Sequence, residues 1–345
     1  MAPPARRPVH TAYVGAHLFQ AGSAAEWGKV ALQVLADYAS DAQTLAAEDI
    51  WSRVRDKLER EPIEDLRIDF EDGYGEHTGY EEDATARAAG AEVAAAMALG
   101  NLPPFVGLRV KPARAERTLE LLLRSILEGS GGTLPAQFVV TLPKVASADE
   151  VTALVHVLDG LEARLHLDSK ALALELMVET PLAIMGTDGR CPLPEFVAAA
   201  RGRCRGAHFG VYDYSSALGI APAQHGLRHP ACDHARQVMQ VALAGTGVEL
   251  SAGSTNVLPV PPRENVRRAW QLHYNDVRHS LASGFYHGWD LHPAQLVTRY
   301  AAVYTFFGEW LDSAAPGGGV LEDPAASRMR ASLLQRAIDC GAVSR

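Results

Sequence analysis

The chain has 345 residues, 48% hydrophobic and 21% charged, an ordinary globular balance able to bury one large core. Its formal net charge of −9 speaks against a nucleic-acid or anionic-membrane surface, which would need a basic face, though a few placed arginines could still receive an anionic substrate. The four cysteines, Cys191, Cys204, Cys232 and Cys340, share no paired spacing, so neither a zinc site nor a disulfide framework is expected.

Residues 1–10 carry no apolar stretch of the secretory kind and read as a disordered lead-in. The first strand is expected at Thr11–Phe19, followed by two helices, Ala24–Tyr38 and Glu48–Arg60. Strands and helices then alternate: strand Asp65–Asp72, helix Glu81–Leu99, strand Pro104–Val110, helix Ala113–Glu128, strand Gln137–Pro143 and helix Ala148–Leu158. Next come strand Ala171–Glu179, a short helical stretch at Glu195–Ala200, strand Gly206–Asp213 and helix Arg228–Ala244. The seventh strand, Val248–Ser254, is short and rich in small residues; helix Arg263–Ser283 and strand Phe285–Leu291 follow. Helix Ala294–Leu311 bears an aromatic stripe of Tyr300, Tyr304, Phe307 and Trp310, suited to packing on the rest of the chain or, alternatively, to a subunit interface. The linker Ala314–Gly319 leads to a final helix, Ala325–Ile338. This alternation predicts an α/β fold, a (β/α)8 TIM barrel over residues 11–313, with additional C-terminal helices and a glycine linker in 314–345. No run approaches the ~18 apolar residues of a membrane span, and a cytoplasmic protein is expected.

In such a barrel the carboxyl ends of the strands converge on one mouth. Five consecutive predicted strands end in charge: Asp69-Phe70-Glu71-Asp72, Arg109 with Lys111, Lys144, Glu179 and Asp213. Polar residues also mark any strand exit, so each alone says little. Neighbouring parallel strands lie only ~4.8 Å apart, however, so adjacent ends can offer two carboxylates to one cation. Oxygen ligands without a Cys/His cluster suit Mg²⁺ or Mn²⁺.

These pieces resemble the citrate lyase β-subunit-like and HpcH/HpaI aldolase families of the phosphoenolpyruvate/pyruvate barrel superfamily. Asp69-Phe70-Glu71-Asp72 is similar to the family's Asp-Leu-Glu-Asp, Leu108-Arg109-Val110 to its substrate-arginine strand, and Leu142-Pro143-Lys144-Val145 to its Leu-Pro-Lys strand. Glu179-Thr180 resembles its Glu-Thr metal strand, and Phe209-Gly210-Val211-Tyr212-Asp213 with Leu218-Gly219 its Phe-Gly-x-x-Asp…Leu-Gly element. Gly288 to Gln295 is similar to its Gly-x-x-x-Ile-His-Pro-x-Gln ending, so the likeness covers roughly residues 60 to 300. Asp69-x-Glu71-x-Gly73-Tyr74-Gly75 also resembles the Asp-x-Asp-x-Gly-Tyr-Gly of isocitrate lyase and phosphonopyruvate-type enzymes.

The resemblance implies a metal-dependent carbon–carbon lyase or aldolase acting on a 2-oxo or hydroxy acid. Glu179 and Asp213 would hold Mg²⁺ (or Mn²⁺), Arg109 would bind substrate oxygens, and Glu71 and Asp72 would hold metal-bound waters. His77, in Glu76-His77 after the second strand, is the first candidate for the base, with a metal-bound water or Asp72 the alternatives. Lys144 and the small-residue loop at Ser254 are further substrate-binding candidates. Gly15-Ala16-His17-Leu18-Phe19-Gln20 lacks the arginine and proline of members that use CoA thioesters, and Ser251-Ala252-Gly253-Ser254-Thr255 replaces their Asp-Gly element. A CoA ester is therefore not expected. Two other functions fit the same residues: a class I aldolase forming an imine on Lys144, or Lys111, and a barrel that binds a metabolite without turnover. A homo-oligomer is expected, the tail beyond Gly319 being long enough to reach a neighbour's mouth.

Overall fold

The computed structural model describes residues 6–313 and 324–343. The eight strands are β1 His10–Gly15, β2 Asp65–Asp69, β3 Phe105–Arg109, β4 Val139–Leu142, β5 Ala173–Val178, β6 Cys204–Phe209, β7 Glu249–Ser251 and β8 Gly288–Asp290. Every pairing is parallel, in the spatial order β7-β6-β5-β4-β3-β2-β1-β8. Two hydrogen bonds tie the remaining seam: Ala252 N–H to the His287 carbonyl at 2.8 Å, and Trp289 N–H to the Gly253 carbonyl at 2.9 Å. The sheet is thus a nearly closed (β/α)8 barrel, as the alternation of elements predicts.

Strand periodicity explains what faces where. Leu66 and Ile68 of β2 and Leu174, Leu176 and Val178 of β5 point outward into the main apolar core beneath the helices. Their alternates point inward, and the inward set is unusually polar. Lowest in the barrel, Arg67 pairs with Asp65 and grips Glu175 through Nε (3.1 Å) and Nη2 (2.6 Å). Above it lies a small apolar layer of Tyr13, Met177 and Trp289. Asp69, Arg109 and Glu179 stand above that, where the strands end.

The helix Gly79–Leu99 starts on a capping box, in which Thr78 Oγ1 accepts from Glu81 N–H while the Glu81 carboxylate accepts from Thr78 N–H at 2.8 Å. The aromatic stripe packs inside the same chain: Tyr300, Tyr304 and Phe307 are buried.

Several boundaries differ from expectation: the first strand ends at Gly15 rather than Phe19, the second at Asp69 rather than Asp72, and the seventh and eighth are three residues each. The sixth strand stops at Phe209, and the chain turns into a short helix, Val211–Ala217, so Asp213 lies in a helical first turn rather than at a strand end. Short helices also form at Ala39–Ala42 and Pro181–Ile184. Of the expected N-terminal disordered segment, residues 1–5 lie outside the described residues, whereas Arg6 pairs with Glu61 and Val9 N–H donates to Glu64 at 2.9 Å. The linker Ala314–Gly319 also lies outside them. The last helix, Pro324–Cys340, packs on its own barrel near the amino ends of the strands: Tyr304 Oη donates to the Cys340 carbonyl at 3.0 Å and Arg336 pairs with Glu249.

Candidate functional site

The mouth is organised by Asp69. In register, Asp69 on β2 faces Arg109 on β3. Its carboxylate accepts from Arg109 Nε at 2.7 Å and also from Arg109 Nη2. The same carboxylate accepts from Glu71 N–H at 2.9 Å and Gly73 N–H at 2.8 Å, which folds the loop after β2 back over the strand end. A side chain at Gly73 would put its Cβ 2.5 Å from Asp69 Oδ2, so this close approach needs glycine. Four donors on two oxygens satisfy a buried carboxylate fully.

Arg109 is 5% exposed and keeps Nη1 free of Asp69. That nitrogen lies 3.1 Å from Glu71 Oε2 and 3.6 Å from Asp72 Oδ2, and the guanidinium carbon sits 5.1 Å over the Tyr13 ring. Lys144 bridges outward. Its φ of 50°, unusual for a side-chain-bearing residue, points its backbone N–H at Glu179 Oε1 (2.8 Å). Its ammonium meanwhile pairs with Glu71 and lies 3.2 Å from Asp72 and 4.0 Å from Asp213. Those carboxylates raise the Lys144 pKa against the opposing effect of burial, so the amine stays protonated.

Glu179 follows β5 and is 2% exposed. Burial first, and the charge of Asp213 second, push its pKa up to about 7. Gly210 makes this packing possible, because a Cβ there would fall 2.3 Å from Glu179 Oε2. Glycine thus lets the end of β6 pass Glu179 and deliver Asp213, which is about half exposed at the rim. Glu179, Asp213, Arg109, Asp72 and Ser254 all line one cavity of about 1080 Å³. It extends outward along Ser23–Lys29, giving room well beyond a three-carbon acid.

His77 sits elsewhere. Its ring stacks on Tyr74 (centroids 4.0 Å apart), its Nε2 lies 3.1 Å from the Tyr74 carbonyl, and it is not among the residues lining this cavity. Lys111 donates to the Gly75 carbonyl at 2.7 Å, bracing the loop after β2. Asp69 is the organiser, and its signal in the sequence is its position opposite Arg109 once the second and third strands are aligned by their last residues. Tyr13 and Trp289, whose rings lie 5.0 Å apart at the cavity floor, carry no charge and gave no such signal.

The donor set bears on a metal. Asp69 is saturated by an arginine and two backbone N–H groups, whereas Glu179 and Asp213 have no arginine partner among the described residues and repel each other. Two hard oxygen ligands bordering an open cavity fit Mg²⁺ or Mn²⁺ completed by water or substrate oxygens. Among the described residues no group of three or more His, Cys, Asp or Glu could hold a metal ion, so a closed protein cage of the structural-zinc kind does not form.

The fold and its mouth define a (β/α)8 barrel with an acid- and arginine-lined opening. The chain belongs, over residues 2–345, to the family described as a domain of unknown function, DUF6986. Comparison with curated proteins finds no match. Among solved structures, the malate synthase of Haloferax volcanii in its magnesium/glyoxylate complex superposes with a TM-score of 0.59 at 13% identity, covering 96% of this chain and 88% of that one. The native form of that enzyme, with glyoxylate, gives 0.57 at 15% identity over 94% and 81%. Its pyruvate/acetyl-CoA ternary complex gives 0.55 at 14% over 84% and 77%. The likeness is one of fold.

Proposed function

We propose that the protein is a divalent-metal-dependent enzyme that makes or breaks a carbon–carbon bond beside a 2-oxo acid of the glyoxylate or pyruvate type. The observation that carries this reading is the pairing of Glu179 and Asp213, two carboxylates without an arginine partner, with the buried guanidinium of Arg109 along one cavity wall. When bound there, Mg²⁺ or Mn²⁺ would supply Lewis-acid stabilisation of the negative charge that develops on a keto oxygen. Arg109 binds substrate oxygens through the nitrogen that Asp69 leaves free, and Asp69 keeps the guanidinium from swinging away. Asp72, bordering the cavity and held ionised by Glu71, Arg109 and Lys144 against burial, accepts the proton of a cleaving hydroxyl. Lys144 orients Glu71 and Asp72 as an ammonium, the wrong protonation state for an imine. Ser254 lines the same cavity.

Three of the mouth's motifs, Asp69 to Asp72, Leu142 to Lys144 and Phe209 to Asp213, support a kinship with HpcH/HpaI-type aldolases. The Haloferax volcanii enzyme, which has this fold, was solved with magnesium and glyoxylate and with pyruvate and acetyl-CoA, which supports a small 2-oxo acid. The size of the cavity leaves space for a second, larger partner, so CoA esters belong in the test. The assay is Mg²⁺-supplemented turnover of 4-hydroxy-2-oxo acids, malate-like acids and their CoA esters, in both directions, read as pyruvate or glyoxylate released or consumed. Chelator-sensitive turnover with no borohydride-trapped adduct on Lys144 is expected. Metal and 2-oxo acid binding without turnover across the panel would leave a binding protein instead.

A further inference from the structure

The ring of strand ends around the mouth divides into two sectors. The chain at the ends of β2 to β5, and the short helix after β6, carry Asp69, Arg109, Lys144, Glu179 and Asp213. β1 and β8, which pair with each other, give the cavity no charged side chain. Asp290, the last residue of β8, is fully buried and turned to Arg299.

This second sector is apolar. A turn follows β1, closed by Leu18 N–H on the Gly15 carbonyl at 2.8 Å, and it sets Leu18 at the rim. Leu18 is 65% exposed and lines the cavity. Leu291 and Pro293, just past β8, line it too, above the Tyr13 and Trp289 rings of the floor. Trp27, on the helix Ser23–Asp37, continues the same lining outward. Large apolar side chains left uncovered in a concave site suit an apolar ligand surface.

Cations for a second reactant are few. Among the described residues lining the cavity they are Arg109 and Lys29. Arg109 serves the 2-oxo acid, and Lys29 lies 3.5 Å from Glu26. Asp72, Glu179 and Asp213 border the same space, so a second anion would meet repulsion before it met a partner. The phosphates of a CoA ester would find Lys29 alone.

We infer that the reactant joined to the 2-oxo acid carries an uncharged apolar tail, phenyl or branched alkyl, lying on Leu18, Leu291 and Trp27. This rests on the reading of the mouth as a site of carbon–carbon bond chemistry and names its substrate class. The substrate is a 4-hydroxy-2-oxo acid with an apolar group on C4, cleaved to pyruvate and an apolar aldehyde. The C3–C4 bond breaks and its electron pair stays with C3. The hydroxyl proton leaves through Asp72 and returns to C3, while C4 becomes the aldehyde carbonyl.

The test is calorimetric titration of the full chain, with Mg²⁺ present, against pyruvate, 2-oxo-4-phenylbutanoate and 2-oxoadipate. None of the three has a C4 hydroxyl to lose, so binding alone is read. The phenyl acid is expected to bind about tenfold or more tighter than pyruvate, and 2-oxoadipate no tighter than pyruvate. Leu18→Asp, at an exposed position, is expected to weaken the phenyl acid about tenfold more than it weakens pyruvate. Pyruvate binding with no gain from the phenyl tail, or with an equal gain from the anionic tail, overturns this inference and leaves the reading of the mouth standing. A phenyl gain that survives Leu18→Asp overturns it as well. Binding of none of the three overturns the reading of the mouth, and this inference with it.

Discussion

Arg67 and Arg109 lie two layers apart on the inner wall of one barrel, both buried and both paired with carboxylates. Arg67 uses Nε and Nη2 on Glu175 and Nη1 on Asp65 and the Leu66 carbonyl, all inside the barrel. Arg109 commits Nε and Nη2 to Asp69 and turns Nη1 towards Glu71, Asp72 and the cavity. The same side chain thus serves as a closed counter-ion in one layer and, in the other, as an anchored hand whose third nitrogen faces the carboxylates of the mouth. What distinguishes them is where the third nitrogen points: into the barrel for Arg67, into the mouth for Arg109.

The largest effect that separates the two is on stability. Arg67→Met strands Asp65 and Glu175 as unpaired buried charges, and a loss of about 3–5 kcal/mol is expected in chemical denaturation. Arg109→Met, with Asp69 still held by two backbone N–H groups, is expected to remain folded and lose turnover by about 100- to 1,000-fold. Equal destabilisation by both substitutions would erase the distinction.

Next in size is a pH effect at Glu179. Its folded-state pKa, about 7, lies above the ordinary carboxylate value, so the folded chain holds a proton that the unfolded chain releases. The sign follows: this group favours folding below the ordinary value, and that contribution is lost as pH rises towards 7, by at most about 3 kcal/mol. A cation at Glu179 reverses the penalty. Added Mg²⁺ should therefore raise the unfolding temperature more at about pH 8 than at about pH 5.5. An equal rise at both would mean that Mg²⁺ binds elsewhere. The smallest effect is assigned to His77. Stacked on Tyr74 outside the cavity lining, it should cost less than about threefold in turnover when replaced by alanine, whereas a general base would cost on the order of 100-fold or more.

Much of this was legible in the sequence, for identifiable reasons. Every strand of the barrel could be located: β2 and β5 by outward Leu, Ile and Val at period two, and β7 and β8, which lack that pattern, by their place between helices of ordinary length. The composition of Val211-Tyr212-Asp213-Tyr214 is strand-like, yet the sixth strand ends at Phe209, and at Gly210 the chain passes so close to Glu179, across the sheet, that a side chain would not fit. Arg109, Lys144 and Glu179 converge on one mouth because strand ends do so in any barrel, and Asp213 joins them from the short helix that follows β6. The role of Asp69 was hidden because its partners come from the register of β2 against β3 and from a backbone loop. The lower layer escaped notice because Asp65-Leu66-Arg67-Ile68-Asp69 alternates as a half-solvated strand would, and only closure of the barrel buries its polar face.

The central claim is that Glu179 and Asp213 share one cation. Mn²⁺ titration followed by electron paramagnetic resonance tests it directly, on the unaltered chain and on Glu179→Gln and Asp213→Asn. One bound ion, displaced by Mg²⁺ and weakened by about tenfold or more in each variant, is the expected result. Unchanged Mn²⁺ binding in both variants would contradict it.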